Sequence, residues 1–557
     1  MIIAQAAATM SNIPPAASLA RKERSAEGGF SLSIKASFPI GDEQPGFSSG
    51  KSSRRPGQML RRQILWSQKR KINIIIAESE SNYFIFHERG ICMEILDTTI
   101  QSISFLHNEI IIFAVFGFII GGIDDFIIDI LYLIRKINRR LFIYSIYRRM
   151  TGATLPQSAW PGEMAIFIPA WNEANVIGAM LRNSLNSWRA GGFHIFVGVY
   201  PNDPNSITTI ADIAASDARV TMVIAPHDGP TTKADCLNHI WAAMTRAEKA
   251  RGMRFKAIVL HDAEDVVHAD EIRLFDMMID RFDMVQIPVR PLLSQQSQWV
   301  AGHYADEFAE SHGKHLVMRE AIGAAVPSAG VGCAIKRGMM AKIAALRHGE
   351  PFDSASLTED YEIGLRIAEL EGRTAFVVMN DAQGGLICTQ EHFPDTLKDA
   401  VKQKARWFVG ISLAGWDRMG WSGSWQERWM RLHDRRGSLS ALVLFAAYMS
   451  VISYGILLAA SLFGRASIPD YSPVMHAALL CTSVLMFWRL SFRFAFSARA
   501  YGWKQGLLAI PRTLIANIIA MLAARRAMGE YWKQLRGGPV VWDKTSHRFP
   551  GLAPEQP

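Results

Sequence analysis

Cysteine is scarce in this 557-residue chain: Cys92, Cys236, Cys333, Cys388 and Cys481 are scattered, and no two form a CxxC pair. That pattern argues against a cysteine zinc site and against a disulfide framework, and makes reduced, buried thiols the expectation. A GxGxxG turn is also missing after the first β-rich run, where the sequence reads PAWNEAN over residues 169–175. Without glycine there, the backbone cannot approach a dinucleotide pyrophosphate, which argues against a nicotinamide or flavin oxidoreductase. A nucleotide diphosphate must then be met otherwise, most simply by a divalent cation held by carboxylates. The first ninety or so residues lack both sustained periodicity and the compact apolar core of a secretory signal, while Ser, Gly, Pro, Arg and Lys abound. Disorder is expected there, and Met93, where the character of the sequence changes, is an expected translation start.

Length predicts two or three parts rather than one core. The net charge of +9 admits nucleic acid, but long apolar runs flanked by basic residues favour a membrane protein with no nucleic-acid partner. The run 110–134 is apolar and long enough to cross a bilayer core of roughly 30 Å. Asp124, Asp125 and Asp129 interrupt it, and an interfacial acidic turn or pairing with other helices costs less than three charges at mid-membrane. Arg135, Lys136, Arg139, Arg140, Arg148 and Arg149 follow the run, whereas 93–110 carries only acidic charge, so the chain beyond 135 is expected on the cytoplasmic side. Trp421, Trp425 and Trp429, interleaved with Arg428, Arg431, Arg435 and Arg436, predict an amphipathic helix with its arginines toward anionic lipid, or alternatively packed on a neighbouring domain. Residues 439–463 and 474–488 predict two further crossings. The last apolar stretch, 506–524, contains Pro511 and Arg512, and crossing would leave Arg525, Arg526, Lys533 and Arg536 outside. A re-entrant or interfacial helix with a cytoplasmic C-terminus is therefore expected.

Between 164 and 284, the runs AIFIP, HIFVGVY, VTMVIAP, AIVLHD and MVQIPV alternate with helical patterns, predicting βαβ units and a mostly parallel sheet. Ligands bind beyond the carboxyl ends of such strands, which places Asn172, Glu173, Asn202, Asp203, Asp262, Glu264 and Asp265 in candidate positions. Asp262 and Glu264 in HDAED are hard oxygen donors suited to Mg²⁺ or Mn²⁺, although an isolated acidic loop has the same appearance. Thr358-Glu359-Asp360 reads as an acidic pair at a helix start, for which N-capping by Thr358 is the plain structural reading. Gln403, Arg406 and Trp407 in QKARW share one helical face, offering an aromatic plane beside polar groups.

PAWNE, TTKADCLN, LHDAED, TEDYEIGLR and QKARW occur here in the order found in membrane-bound family 2 glycosyltransferases, over about 164–416. The chain resembles that family, and especially its bacterial branch labelled phage adsorption protein B. The resemblance implies a GT-A fold, Rossmann-like and mostly parallel, in a cytoplasmic catalytic domain with transmembrane helices on both sides. It implies a nucleotide-sugar donor met by Pro169, Asn172, Glu173, Asp203, Lys233 and Asp262. Asp262 and Glu264 fall on the family's metal motif, with Glu replacing its second Asp. Asp360 falls on the catalytic base, and Glu359, Gln403, Arg406 and Trp407 on the acceptor side. Direct displacement needs one carboxylate to take the acceptor hydroxyl's proton, and a single displacement inverts the anomeric centre.

The expected organisation is a 1–92 extension, a membrane segment and basic linker over 93–150, a transferase domain over 151–416, an amphipathic helix over 417–437, a membrane region over 438–530 and a cytoplasmic tail over 531–557. The expected function is an inverting transferase in the bacterial inner membrane, acting on a polysaccharide or lipid-linked acceptor with an outer-membrane export partner. The alternative is a catalytically inactive scaffold of an export complex that also affects phage adsorption.

Overall fold

A computed structural model of the protein describes residues 57–188, 192–538 and 548–551, with side chains from Met93 onward. Met1–Arg89 and Gly90–Pro557 are separate compact units, and the architecture below is that of the second. One helix is assigned to Gly57–Asn138, so 57–92 is helical where disorder was expected. No proline or glycine interrupts 58–89, and straight-chain helix formers are frequent there. The expectation of disorder over 1–56 falls outside the described residues.

All five β-rich runs form strands: β1 (Met164–Pro169), β2 (Phe193–Val199), β3 (Val220–Ile224), β4 (Ala257–Leu260), and the last as β5 (Met284–Gln286) and β6 (Val289–Pro291). β7 (Cys333–Lys336), β8 (Thr374–Phe376) and β9 (Thr389–Glu391) follow. Seven strands make one sheet in the order β3-β2-β1-β4-β7-β5-β8, and β6 with β9 makes a small second sheet. Pairing is parallel except at β7, which runs antiparallel to both β4 and β5. Every residue of β1 and β2 is buried, because both faces are covered: Ile166, Ile168 and Val197 enter one core, and Phe167, Phe196 and Ile258 the other. Successive strands run outward from β1 to β3, and the chain then returns to the other side of β1 with β4. That reversal opens a crevice at the carboxyl ends of β1 and β4.

Among the described residues, four helices are long and apolar enough to cross a membrane: Met93–Ile143, Gly437–Leu462, Pro473–Tyr501 and Trp503–Leu535. The three aspartates that interrupt the apolar run of the first are all paired. Asp124 accepts from Trp429 (2.6 Å), His433 (2.7 Å) and Arg436 (2.7 Å), Asp125 pairs with Arg436, and Asp129 accepts from Lys314 and from Trp488 at 2.9 Å. At the opposite end of the same helix, His107 bonds Ser453 (2.8 Å) and Tyr471 (2.7 Å), and Arg465 meets Asp97 at 3.2 Å.

Two expectations change. On the helix Trp425–Arg435, Arg428 is exposed, but Arg431 and Arg435 are buried and turn inward rather than to lipid, as in the alternative of packing on a neighbouring domain. Arg431 bonds Glu427 (2.9 Å), Glu369 (3.2 Å) and the Met419 carbonyl (2.6 Å), so it packs on the catalytic domain. Glu427 on the same helix and Glu369, distant in sequence, supply the carboxylates that make this burial possible. The helix Trp503–Leu535 is continuous, which removes the re-entrant form. Arg512 is 1% exposed, bonding the Gln298 carbonyl (2.7 Å) and Asp306 (3.3 Å), so its charge does not break the helix. Ala509, Ala516, Ala523 and Ala527 are buried on one side, letting it approach the helices Val300–Glu310 and Leu397–Trp407, while Leu507, Ile510, Leu514 and Ile518 stay exposed.

Candidate active site

Five separate segments converge on one cavity at the sheet's crevice. Pro169 and Glu173, Lys233, Asp262 and Glu264, Glu359 and Asp360, and Gln403, Arg406 and Trp407 all line it. Asn172 and Asp203 are not among its lining residues. Asp203 is 3% exposed and works locally instead, accepting from Asn172 N (2.7 Å) and capping the helix Pro204–Ser216 through Ser206 N (3.3 Å). It thereby holds the turn that presents Glu173, with Asn172 at a positive φ of 54°.

Thr232 caps the helix Lys233–Arg251, its hydroxyl accepting from Asp235 N at 3.2 Å, so Lys233 enters the cavity from a fixed helix start. Its ammonium meets Asp262 at 2.5 Å. Burial disfavours that charge, but Asp262, Glu359 and Asp360 outweigh it and hold Lys233 protonated.

The acidic turn after β4 is sorted by a buried histidine. His261 Nδ1 donates to Asp265 (2.7 Å) and Nε2 to Glu271 (2.7 Å), with all three side chains inaccessible. Burial opposes a charge on His261, yet Glu271 and Asp265 push it up to about 10. Asp265 also accepts from Asp262 N at 3.1 Å. Asp265 is thus turned inward as a brace, and Asp262 and Glu264 are the pair left at the cavity.

The helix Glu359–Glu369 starts at Thr358, but the threonine side chain makes no cap and its hydroxyl is buried without a hydrogen-bond partner. Plain N-capping therefore does not account for the motif. Asp360 Oδ1 accepts from Tyr361 N at 2.7 Å. Burial raises Asp360 above the usual carboxylate range, with Asp262 adding to the effect and Lys233 opposing it. Burial and neighbouring Asp360 push Glu359 up to about 8. Beside them, Gly330 has φ +79° and a Cβ there would stand 2.4 Å from Asp360 Oδ2, so the 328–333 turn is shaped around this carboxylate.

Also lining the cavity, Trp407 packs edge-on to Tyr304 (6.0 Å between ring centroids) and near Phe308 (6.4 Å). Gln403 Oε1 and Arg406 Nε are buried without a hydrogen-bond partner, polar atoms fit to receive a ligand's hydroxyls. Lys404 points away and bonds Glu307 at 2.6 Å, anchoring the helix Leu397–Trp407 to its neighbour.

Glu391, Phe308 and Phe393 also line the cavity and were not singled out from sequence. Glu391 is raised well above the usual range, by burial and by Asp265, Glu264 and Asp262. Pairing of Pro291 with Glu391 in the small sheet brings it there. Asp262, Glu264, Glu359, Asp360 and Glu391 thus crowd around Lys233. The hard oxygen donors of Asp262 and Glu264 fit a divalent cation completed by phosphate oxygens.

Residues 161–410 match the family model described as "Glycosyltransferase like family 2". Over 457 residues the chain is 38% identical to "Bacteriophage adsorption protein B" of Escherichia coli (strain K12), covering 78% of this chain and 61% of that protein. The same values hold for "Bacteriophage N4 adsorption protein B" of Escherichia coli O157:H7. The chain therefore spans about three fifths of the length of these curated relatives. Among solved structures, it is similar to the mannosyltransferase PcManGT from Pyrobaculum calidifontis in complex with GDP-Man and Mn²⁺ (TM-score 0.46, 13% identity, 76% of this chain and 99% of that one). A second is glucosyl-3-phosphoglycerate synthase from Mycobacterium tuberculosis (TM-score 0.28, 14% identity, 50% of this chain and 86% of that one). The expected α/β class stands: a mostly parallel sheet lies within the matched residues, with apolar helices before and after it in the chain.

Proposed function

We infer that the chain, whose residues 161–410 form a family 2 glycosyltransferase-like domain, is an active, inverting membrane glycosyltransferase. Its donor is a nucleotide-diphosphate sugar, and its acceptor a polysaccharide or lipid-linked glycan. The observation carrying this reading is the convergence of Lys233, Asp262, Asp360 and the Gln403–Arg406–Trp407 face on one cavity. A scaffold without catalysis gives no reason for that placement.

In the proposed reaction, Asp360 takes the proton of an acceptor hydroxyl as its oxygen attacks the anomeric carbon from the face opposite the diphosphate. The bond to the nucleoside diphosphate breaks in the same displacement, so the anomeric centre inverts. Lys233 faces the negative charge that develops on the leaving oxygen, and Arg406, lining the same cavity, assists. Asp262 and Glu264 would hold Mg²⁺ or Mn²⁺, which supplies Lewis-acid stabilisation of the leaving diphosphate when bound. Trp407 offers a stacking plane to the acceptor ring, and Gln403 and Arg406 its hydrogen bonds. The purified full-length chain, incubated with a panel of nucleotide sugars, is expected to release nucleoside diphosphate from one donor with Mn²⁺ or Mg²⁺ and to stop on chelation. A panel in which no donor is bound or consumed would overturn the reading.

We further place the catalytic domain on the cytoplasmic side of the inner membrane, with product passing to an outer-membrane export partner. Met93–Ile143, Gly437–Leu462 and Pro473–Tyr501 cross, and Trp503–Leu535 lies along the inner face. Its buried side packs on catalytic-domain helices while its exposed side is apolar, as an in-plane helix requires. A Glu530→Cys variant in intact cells is expected to resist a membrane-impermeant thiol reagent, and labelling from outside would refute this topology.

A further inference from the structure

A second cluster of metal-ligating side chains lies outside the carboxylate cavity. His227, in the loop after β3, faces Asp235 and His239, which stand one turn apart on the helix Lys233–Arg251. His239 Nε2 is 3.2 Å from His227 Nε2, and each of these nitrogens is 3.6 Å from an oxygen of Asp235. We propose that His227, Asp235 and His239 form a binding site for a first-row transition-metal dication of the Zn²⁺ class, distinct from the carboxylate pair Asp262 and Glu264.

The distances carry the argument. A tetrahedral ion with ligand bonds of about 2.0–2.1 Å separates its ligand atoms by about 3.3–3.4 Å. The two Nε2 atoms stand near that spacing, and His227 Nε2 faces Asp235 Oδ2 and His239 Nε2 faces Asp235 Oδ1 at 3.6 Å each, so a small rotation of the carboxylate presents one oxygen to an ion held by both imidazoles. Two imidazoles and one carboxylate suit zinc, cobalt or nickel, whereas Mg²⁺ and Mn²⁺ prefer oxygen. Supporting contacts are in place. Thr231 Oγ1 donates to Asp235 Oδ2 at 2.8 Å, and Tyr200 OH, 2.5 Å from Thr231 Oγ1, reaches the same oxygen at 3.4 Å. His227 Nδ1 faces the Asp228 carbonyl at 3.4 Å, which favours the tautomer with a free lone pair on Nε2. Without an ion, the two Nε2 atoms share a single proton between them at most comfortably; with one, both lone pairs are used. The three protein ligands leave a fourth position for water. Binding would tie the 227–232 loop to the start of the helix that carries Lys233. None of this depends on the transferase reading.

The test is direct binding of Co²⁺ and Zn²⁺ to tag-free, full-length protein in detergent. Wild type and Asp262→Asn are both expected to show the visible absorption of four-coordinate Co²⁺ at about one equivalent, displaced by Zn²⁺. His227→Gln, at an exposed loop position, and His239→Gln are each expected to weaken Zn²⁺ binding by about 100-fold, and Thr231→Val by about tenfold. Absence of the cobalt band in folded wild type, or Zn²⁺ binding unchanged in both histidine variants, would overturn the site. Loss of the band in Asp262→Asn alone would assign the ion to the carboxylate cavity and equally overturn it.

Discussion

Asp360→Asn is expected to lower sugar transfer by about 10²- to 10⁴-fold while donor binding stays nearly unchanged, because the amide keeps the size of the carboxylate but cannot accept a proton. The contact from Tyr361 N can persist to the amide oxygen, so the helix start is not disturbed. Glu359 is the nearest substitute base, but it is not placed by Gly330 and the 328–333 turn as Asp360 is. The pH profile separates the two. Since burial raises Asp360, the wild-type rate should fall with decreasing pH from a point above the ordinary carboxylate range, because the active base is the deprotonated form. The stability sign is opposite: a buried acid with a raised pKa favours the folded state when protonated, a contribution present at low pH and lost as pH rises through the folded value. Asp360→Asn should therefore lose the acidic limb of the rate and gain stability at high pH. Transfer of a radiolabelled sugar across pH, beside thermal melts, measures both. A variant with wild-type rate and an unchanged acidic limb would remove Asp360 from the role of base.

Most parts of this site that were legible in sequence lie where a regular element begins or ends, whereas Gln403, inside the helix Leu397–Trp407, was legible from the face it shares with Arg406 and Trp407. β1, β2 and β4 were readable because strands buried on both faces become continuous apolar runs, and Glu173 and Asp262 follow within a few residues of the ends of β1 and β4. Lys233, Asp360 and Trp407 sit at helix ends, where side-chain placement follows from the backbone. Asp203 met the same strand-end rule yet serves as a helix cap, since a short acid beside a proline at the first helical position satisfies backbone donors equally well. Glu391 carried no local signal. β9 is three residues long, and only its pairing with β6 delivers that carboxylate to the cavity. The helix Trp425–Arg435 shows the same limit for packing. Its alternation of indoles and arginines describes a headgroup-facing surface and a protein-facing one equally, and Glu369 decides between them from a distant segment.

Lys314→Met is expected to destabilise the protein by about 3–5 kcal/mol, the cost of leaving a buried carboxylate without its cation. Lys314 is fully buried, joining Asp129 of the first membrane helix to Glu310 of the helix Val300–Glu310, the latter at 2.7 Å. The two acids are not left equal by its removal. Glu310 keeps its direct ion pair with Arg489, whereas Asp129 keeps the Trp488 indole at 2.9 Å and Arg489 only as a charge without a direct contact among the described residues. The penalty should therefore fall on Asp129, and Lys314→Met combined with Asp129→Leu should recover most of the loss, because a well-packed apolar pair replaces a buried ion pair at little cost. The same helix carries Glu307, which anchors Lys404, and Phe308, which lines the active-site cavity. Loosening it should accordingly weaken acceptor use in the single variant more than in the double. Melting temperature and acceptor KM of the two variants decide the matter: if single and double are equally destabilised, the buried charge is not what couples the membrane helix to the catalytic domain.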